Sequence, residues 1–286
     1  MDKWQFYTKF EVSQQLTSVL LKLLEGEIAR PLDKLLFIEP SAGYGCFYDS
    51  VRQAGGKIIG FDIEPKHEDI TKADFLAIER IRPRWAKKNS VIIGNPPFGK
   101  RARLAIDFFN KSAEFANTIG FIVPKQFEKY SVHSKLHPSF RLIHSETLAP
   151  ESFYIEGWKS YALNSVFQLW TRHKSLKPDL RIKTPPKTKH ADFKMWQYNS
   201  TPQALKVFSE DFDFAVLRQG FGNYRLKYFD EQDCDRRKQW MLIKAKNKDI
   251  YERLLAIDFE KLSYGNTIIP GFWKADLVSH YQKTYD

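Results

Sequence analysis

Residues 35–47 read LLFIEPSAGYGCF, and this stretch decides the fold. Its first four residues are apolar, as in a strand buried on both faces, and a polar turn with two glycines follows at once. A glycine turn lets the backbone approach a ligand closely, because no Cβ stands in the way. A helix that begins after such a turn directs free amides and the positive end of its dipole toward it. The turn alone is as consistent with tight packing as with a ligand loop.

Strand and helix patterns alternate around this stretch up to residue 173. The predicted elements are a helix over 11–25, strands at 35–38, 57–62, 90–93, 118–123, 141–148 and 163–170, and a helix over 103–115. Such alternation predicts an α/β fold with a mostly parallel sheet and crossover helices. The last two strands are expected to form an antiparallel edge pair, so that the sheet ends in an antiparallel edge strand.

A basic, proline-containing stretch at 174–189 is predicted to be a linker. Beyond it, the sequence predicts aromatic-rich strands at 193–198, 212–217, 224–229 and 240–244, a helix over 248–256, and a tail broken by glycine and proline. We therefore expect a catalytic-type domain at 1–175 and a smaller mixed α/β domain at 185–286.

Composition narrows the class of protein. The 286 residues are 43% hydrophobic and 28% charged, which is typical of a soluble globular chain. Two cysteines cannot form a disulfide framework or a four-cysteine zinc site, so we expect an intracellular, cytoplasmic protein. No apolar run approaches the ~18 residues of a membrane span, and the amino terminus lacks the apolar segment of a signal peptide. The seven histidines show no ligand spacing, and no metal site is expected.

The chain carries a net charge of +11. This charge favours a polyanionic partner, because phosphates neutralised by Lys and Arg release counterions. It is equally consistent with a charge that only keeps the protein soluble.

Three acidic or aromatic residues follow predicted strands and are candidate ligand contacts. Asp62 ends a strand in GFDIEP, where a carboxylate can accept from both hydroxyls of a ribose. Asp74 in ADF could accept from the exocyclic amine of an adenine while Phe75 packs on its ring. Without the glycine turn, each would be read as an ordinary loop residue.

The strongest signal is Asn95-Pro96-Pro97-Phe98, directly after the apolar run at 91–93. Two prolines fix the chain at the carboxyl end of a strand, where open α/β sheets bind ligands. The exocyclic amine of adenine is a poor nucleophile because its lone pair is delocalised into the ring. The Asn95 side-chain oxygen and the Pro96 carbonyl can accept both of its N–H groups and free the lone pair for attack on a sulfonium methyl. Phe98 would stack on the base, which must leave the duplex.

The order of EPSAGYG, GFDIEP, ADF and NPPFG resembles the class I S-adenosylmethionine-dependent amino methyltransferases. The resemblance is greatest to the DNA N6-adenine group, whose cofactor motifs precede the catalytic motif. Residues 6–11 are similar to the amino-terminal segment that covers the methionine moiety in that group. The resemblance extends over residues 5–172 and implies a Rossmann-like methyltransferase sheet.

The resemblance also implies the site residues. It implies S-adenosylmethionine as cofactor, with contacts at Tyr7, Thr8, Glu39, Ala42, Gly43, Gly45, Asp62, Asp74 and Phe75. It implies catalytic roles for Asn95, Pro96, Pro97 and Phe98. One feature departs from the family: only 11 residues separate Asp62 from Asp74, so the helix usual between them must be short or absent.

The implied activity is methyl transfer to the N6 amine of adenine in DNA, by a site-specific methyltransferase. Families with the same NPPF or NPPY string methylate adenine or guanine N2 of ribosomal RNA and glutamine amides of release factors, so a ribosomal RNA base is the alternative. A catalytically silent nucleic-acid-binding partner is a further alternative, although Gly43, Gly45 and Asn95 are all present. The recognition sequence, the oligomeric state and a cognate restriction enzyme as partner stay undecided.

Two basic or aromatic regions are candidate nucleic-acid contacts. One surrounds the catalytic string and consists of Arg80, Arg82, Arg84, Lys87, Lys88, Lys100, Arg101 and Arg103. The less favoured alternative is that these residues form a solvated charged face with no ligand. The other is the carboxyl-terminal domain, which we expect to recognise the target through Trp196, Tyr198, Arg218, Tyr224, Arg225, Tyr228, Arg236, Arg237, Trp240 and glycine loops at 219–223 and 264–266. Taken one by one, most of these aromatic residues are more readily explained as members of a small core, but the basic side chains still favour a recognition surface on the domain.

Overall fold

The structure is a computed structural model, and it describes residues 6–27, 31–81, 89–155, 159–174, 176–264 and 269–286. The chain divides into two compact units, Met1–Lys183 and Thr184–Asp286. Within the described ranges, no helix has the length and apolarity needed to cross a membrane.

The first unit contains ten strands and four helices within its described residues. They are β1 (Tyr7–Thr8), α1 (Phe10–Glu27), β2 (Leu36–Glu39), α2 (Cys46–Gln53), β3 (Lys57–Asp62), β4 (Thr71–Lys72), β5 (Ser90–Gly94), α3 (Arg103–Phe115), β6 (Thr118–Pro124), α4 (Tyr130–His133), β7 (Arg141–Thr147), β8 (Phe153–Ile155), β9 (Lys159–Tyr161) and β10 (Ser165–Thr171). Most of the strands predicted from the sequence are present, with ends shifted by a residue or two.

Seven of these strands form one sheet in the order β4-β3-β2-β5-β6-β10-β7. The five strands β4, β3, β2, β5 and β6 pair in parallel, and β10 runs antiparallel to both β6 and β7. This is the predicted Rossmann-like α/β sheet. The reversed strand lies one position in from the edge and not at the edge itself, because β10 inserts between β6 and β7.

Helices cover both faces of this sheet, which explains why its central strands are continuously apolar. All five residues of β5 are buried. Successive residues alternate between two hydrophobic clusters: Phe37 and Val91 pack with α1 and α2, whereas Ile38 and Ile92 pack with α3. The sheet is therefore held between two layers of helix.

A second, small sheet, β1-β8-β9, fixes the amino-terminal segment. Tyr7 pairs with Tyr154 and Thr8 with Phe153, and the amide of Lys9 donates to the Ser152 carbonyl at 3.0 Å. The sequence did not predict these strands, because two or three residues are too few to show a period. Their pairing brings the amino terminus to the loops at the carboxyl end of the large sheet.

The stretch expected to be a linker belongs in part to the first unit. The Arg181 guanidinium donates to four backbone carbonyls, at His133, Leu136, His137 and Phe140, over 2.7–2.9 Å. The amide of Leu180 also donates to the Leu142 carbonyl at 2.8 Å, beside the edge strand β7. The linker interpretation is thus wrong for these residues, because the arginine fork satisfies carbonyls at the ends of helical turns.

The second unit is a three-stranded antiparallel sheet with helices. It comprises β11 (Phe193–Tyr198), β12 (Phe214–Gln219), β13 (Gln239–Ala245), α5 (Lys248–Leu255), α6 (Phe259–Tyr264) and α7 (Lys274–Tyr285), with strand order β11-β13-β12. Two predictions were wrong. Residues 224–229 make only a bridge between Tyr228 and Ala215, and the tail contains α7, which buries Leu277, Val278 and Tyr281.

Most aromatic residues proposed as recognition contacts form the core of this unit instead. Tyr198, Tyr224 and Trp240 are at most 3% exposed, because the sheet and its helices bury them together. Arg218 is 2% exposed as well. The exposed aromatic side chains of the unit include Phe221, Phe229, Tyr264 and Trp273. Phe221 and Tyr264 belong to the glycine loops predicted at 219–223 and 264–266. Of the loop at 264–266, Gly265 and Asn266 lie outside the described residues.

Candidate active site

Three loops that follow β2, β3 and β5 meet at the carboxyl end of the large sheet. The central strand β2 pairs with β3 on one side and with β5 on the other, so the chain reverses its order across the sheet at this point. Open α/β sheets bind ligands in the crevice formed at such a switch point. The predicted glycine turn, Asp62 and the Asn95 segment all lie on these three loops.

The glycine turn has the backbone conformation that glycine permits. Gly43 and Gly45 have φ of 49° and 79°, in the left-handed region, and Gly45 immediately precedes α2. A Cβ on Gly43 would lie 3.0 Å from the Tyr7 ring, and a Cβ on Gly45 would lie 2.9 Å from the His67 ring. The two glycines therefore let side chains from distant segments close over the turn.

Asp62 links the turn to the end of β3. Its Oδ2 accepts from the Gly43 amide at 2.8 Å, and its Oδ1 accepts from the Glu64 amide at 2.8 Å. A carboxylate has about four lone-pair sites, so these bonds leave roughly two for a ligand. The backbone reinforces the contact, because the Ala42 amide donates to the Phe61 carbonyl at 2.9 Å.

Asp74 and Phe75 are neighbours in sequence but lie in different surroundings, Asp74 at the surface and Phe75 in the core. Asp74 is exposed and accepts from the Leu76 amide at 3.0 Å, which caps a short 3-10 turn. Phe75 is 1% exposed and stacks on Phe108, with ring centroids 5.8 Å apart. Phe75 therefore has almost no surface for an adenine ring, because its own ring packs in the core. No helix occurs between Asp62 and Asp74, as expected from their short separation.

Asn95 is held by two segments far away in sequence. Its Nδ2 donates to Thr8 Oγ1 at 3.2 Å and to the Phe6 carbonyl at 3.4 Å. Its backbone carbonyl accepts from Ser41 Oγ at 3.2 Å, which ties the segment to the loop after β2. Asn95 itself is half-buried. The amide is thus anchored through its nitrogen, which leaves Oδ1 as an acceptor.

The residues after Asn95 differ in exposure. Pro96 is buried, Pro97 is exposed and Phe98 is half-buried against the core. The backbone then takes the left-handed conformation at Arg101 and Ala102, with φ of 55° and 60°. Each such residue costs roughly 1–2 kcal/mol when it is not glycine. Strain of this kind gathers at functional sites, where the surrounding fold imposes it.

A buried carboxyl lies beneath the glycine turn. Glu39 is 2% exposed, and its Oε2 has no hydrogen-bond partner among the described residues. Burial raises the pKa of Glu39 well above its ordinary value, and the charges of Asp62 and Asp49 act in the same direction. Burial likewise raises the pKa of the neighbouring Cys46 thiol to about 12. In both groups, burial disfavours the charged form.

Three tyrosines surround the turn, of which the sequence indicated only Tyr7. The Tyr7 ring lies 4.7 Å from Tyr44 and 5.6 Å from Tyr154 between centroids. Tyr44 could have been found, since it lies inside the glycine motif. Tyr154 gave no signal, because only the pairing of β1 with β8 brings it there.

The basic cluster around the catalytic string is only partly described. Arg82, Arg84, Lys87 and Lys88 lie outside the described residues. Arg80, Lys100, Arg101 and Arg103 are exposed, and Arg103 pairs with Asp107 at 3.1 Å. Over the described ranges, no three His, Cys, Asp or Glu side chains come together as metal ligands.

Comparisons with known proteins give similarities of fold only. No protein-family model matches the chain, and no curated protein sequence matches it. A candidate RNA methyltransferase from Pyrococcus horikoshii is 15% identical, with 59% of this chain and 88% of that chain covered and a TM-score of 0.45. The 23S rRNA methyltransferase ErmE is 13% identical, with 61% and 71% covered and a TM-score of 0.39.

A third solved structure of related fold is the magnesium protoporphyrin IX methyltransferase of Synechocystis PCC 6803 with bound S-adenosylmethionine. It is 13% identical, with 56% of this chain and 79% of that chain covered and a TM-score of 0.38. At such low identities, the substrates of these proteins say nothing about the substrate of this chain. Its function has to be argued from its own residues.

Proposed function

We propose that this protein is an S-adenosylmethionine-dependent methyltransferase that acts on the exocyclic N6 amine of adenine in DNA. The observation that carries the proposal is the Asn95 amide. Its nitrogen is bound to Thr8 and Phe6, and the backbone carbonyl of Asn95 is tied to Ser41 in the loop after β2. An acceptor held in this way suits an amine that has to present both of its N–H groups.

The residues around the turn fit the proposed cofactor. A Cβ at Gly43 would meet the Tyr7 ring, so glycine at this position lets the amino-terminal segment lie against the turn. Glu39 Oε2 is buried without a partner, so a positively charged amino group nearby would satisfy it. Asp62 retains lone pairs for the hydroxyls of a ribose. The adenine end is less complete, because Phe75 lies in the core.

The chemistry follows from these positions. When bound, S-adenosylmethionine supplies an electrophilic methyl group on a sulfonium sulfur. Asn95 Oδ1 and the Pro96 carbonyl accept the two N–H groups of the target amine, which localises the lone pair on nitrogen. As the N–C bond formed, the S–C electron pair would return to sulfur and leave a neutral thioether, and the methylated nitrogen would lose one proton to solvent. Phe98 is placed to pack on the extruded base.

The choice of nucleic acid rests on charge and on the second unit. The net charge of +11 and the exposed Lys100 and Arg101 beside Asn95 favour a polyanionic substrate. DNA is favoured over ribosomal RNA by the EPSAG form of the turn, by the amino-terminal segment and by the additional unit at Thr184–Asp286. A site that encloses one base needs recognition contacts elsewhere.

The second unit offers a surface for such contacts. Trp273 and Phe221 are 48% and 75% exposed. Their loops are joined, because the Gly220 amide donates to the Pro270 carbonyl at 3.0 Å. The Arg218 guanidinium lies 4.5 Å from the Trp273 ring centroid. Exposed aromatic rings backed by a cation are suited to stack on nucleobases.

The test incubates the protein with methyl-labelled S-adenosylmethionine and separate pools of duplex DNA, single-stranded DNA and ribosomal RNA. We expect label in N6-methyladenine from DNA. Asn95→Ala should abolish transfer and leave cofactor affinity nearly unchanged, because Asn95 acts on the target amine. Asn117→Ala is the matched control, since it removes a half-buried asparagine at the amino end of β6. Label in ribosomal RNA alone would refute the DNA assignment, and wild-type turnover by Asn95→Ala would refute the mechanism.

A further inference from the structure

We infer that Thr8 is a positioning residue for Asn95. Together with the Phe6 carbonyl, which can only accept, the Thr8 hydroxyl holds the NH2 end of the Asn95 amide and so directs Oδ1 toward the target amine. The inference rests on the proposed function, because it concerns the acceptor that this function requires. The family resemblance implied that Thr8 contacts the cofactor. In the structure, its hydroxyl contacts the Asn95 amide, 87 residues further along the chain.

The orientation of the amide follows from its two partners. Nδ2 lies 3.4 Å from the Phe6 carbonyl oxygen and 3.2 Å from Thr8 Oγ1. A backbone carbonyl can only accept, so the atom facing it must be the NH2 nitrogen. Thr8 Oγ1 can accept or donate a hydrogen bond. Because the Phe6 carbonyl requires the NH2 nitrogen at this end of the Asn95 amide, Thr8 Oγ1 accepts from that nitrogen here. Asn95 Oδ1 must then lie at the other end of the amide.

A hydrogen-bond anchor is necessary because the two ends of a primary amide are nearly equal in size. Packing alone does not distinguish the oxygen from the nitrogen. If the amide of Asn95 turned over, its NH2 group would face the NH2 group of the target, and two donors would oppose each other. The contacts with Thr8 and Phe6 prevent this, so they determine the polarity of the site.

Thr8 is itself rigidly placed. It is 5% exposed and lies in β1, where it pairs with Phe153 of β8. The following amide, that of Lys9, donates to the Ser152 carbonyl at 3.0 Å. A β-branched side chain in a strand has few χ1 rotamers, which keeps the hydroxyl in place. Because the small sheet fixes Thr8, the hydrogen bond from Asn95 Nδ2 to Thr8 Oγ1 also fixes the Asn95 amide.

The test compares three variants of the full chain in the labelled-methyl assay. Thr8→Val has the same shape without the acceptor, and Thr8→Ser keeps the hydroxyl. Thr118→Val is the matched control: it removes a hydroxyl that is 1% exposed and bonded to Thr171, at the opposite end of the sheet. We expect Thr8→Val to lower kcat about 3- to 10-fold with KM and cofactor affinity within about twofold of wild type. Thr8→Ser should restore kcat, and Thr118→Val should not change it.

The outcomes separate this inference from the proposed function. A wild-type protein without transfer to any nucleic-acid pool defeats the proposed function. A wild-type protein with activity, together with Thr8→Val at wild-type kcat, defeats the role of Thr8. Loss of cofactor affinity in Thr8→Val with unchanged kcat at saturation would also defeat it, because Thr8 would then act as a cofactor contact.

A measurement on the wild-type protein keeps the inference testable if Thr8→Val does not fold. The side-chain NH2 signals of ¹⁵N-labelled asparagine can be assigned to Asn95 by comparison with Asn95→Asp. We expect slow rotation and slow hydrogen exchange of this NH2, because Thr8 and Phe6 hold both of its hydrogens. Exchange as fast as that of a free amide would overturn the inference.

Discussion

The substitution Asp62→Asn tests whether Asp62, at the end of β3, binds the cofactor or only stabilises the glycine turn and the turn at Glu64. Both carboxylate oxygens of Asp62 already accept from backbone amides, those of Gly43 and Glu64, each at 2.8 Å. Asparagine retains one oxygen and must direct its NH2 group at one of these amides. One hydrogen bond is then replaced by the opposition of two donors, and the negative charge is lost.

The magnitude follows from the bonds involved. A hydrogen bond to a charged group contributes roughly 1.5–3 kcal/mol, and each ~1.4 kcal/mol is a tenfold change in affinity. We therefore expect the Kd for S-adenosylmethionine to rise roughly 10- to 150-fold in Asp62→Asn. The protein without cofactor should also lose about 1–3 kcal/mol of stability, because the bond to Gly43 or Glu64 exists without a ligand.

Titration calorimetry with S-adenosylmethionine measures the first effect, and thermal unfolding without it measures the second. Glu64→Gln is the matched control, because it makes the same charge change two residues away. The Glu64 carboxylate is exposed and pairs with Lys66 at 2.7 Å. A folded Asp62→Asn that binds no more weakly than Glu64→Gln would show that Asp62 serves the turn and the local charge, and the cofactor assignment would be refuted.

Two further predictions concern pH and target binding. Glu39 has a raised pKa in the folded protein, so the folded state keeps a proton that the unfolded state releases above its ordinary pKa of 4.5. The free energy of unfolding should therefore fall as the pH rises from that value toward the raised pKa of the folded state. Glu39→Gln should remove this slope in urea titrations, and parallel slopes in the two proteins would contradict the assignment. Changing Phe221 and Trp273 together to alanine should weaken DNA binding roughly tenfold in fluorescence anisotropy. Leu205→Ala, which removes another exposed apolar side chain, should not, and equal losses would count against the proposed surface.

The central sheet was predictable because its signals are local. The apolar run at 90–94 is buried along its whole length, and the helix over 103–115 shows its apolar face in the sequence. The approach of Asp62 to Gly43 was also predictable, since both follow neighbouring parallel strands. Carboxyl ends of parallel strands meet at the same edge of a sheet, whatever the loop lengths.

The remaining contacts depend on pairings that no local pattern encodes. β1 and β8 are too short to show a period, so neither their pairing nor the place of Tyr154 could be predicted. The position of β10 between β6 and β7 depends on a long connection. Arg181 was assigned to a linker because proline and basic residues dominate its neighbourhood, whereas its bonds are to carbonyls over 40 residues earlier.

For tyrosine and tryptophan, which combine an apolar ring with a polar end, the sequence does not distinguish core positions from surface positions. Tyr224 is fully buried and its hydroxyl donates to the Gly220 and Pro270 carbonyls, at 2.6 and 2.9 Å. Trp240 is buried in the same way, with its indole N–H donating to the Asp235 carbonyl at 2.9 Å. An aromatic residue with a polar end can be satisfied inside the protein or at its surface, and the sequence does not tell these apart.

The pairing of Tyr7 with Tyr154 also has a consequence for the order of events during synthesis. A chain that has emerged from the ribosome only as far as Leu148 contains all the parallel strands of the large sheet. It still lacks β8, which holds Thr8 beside Asn95, and β10, which separates β6 from β7. Contacts between segments so distant in sequence form late, because a long loop has to close first. The nascent chain can therefore pair the five strands from β4 to β6 before it acquires its candidate active site.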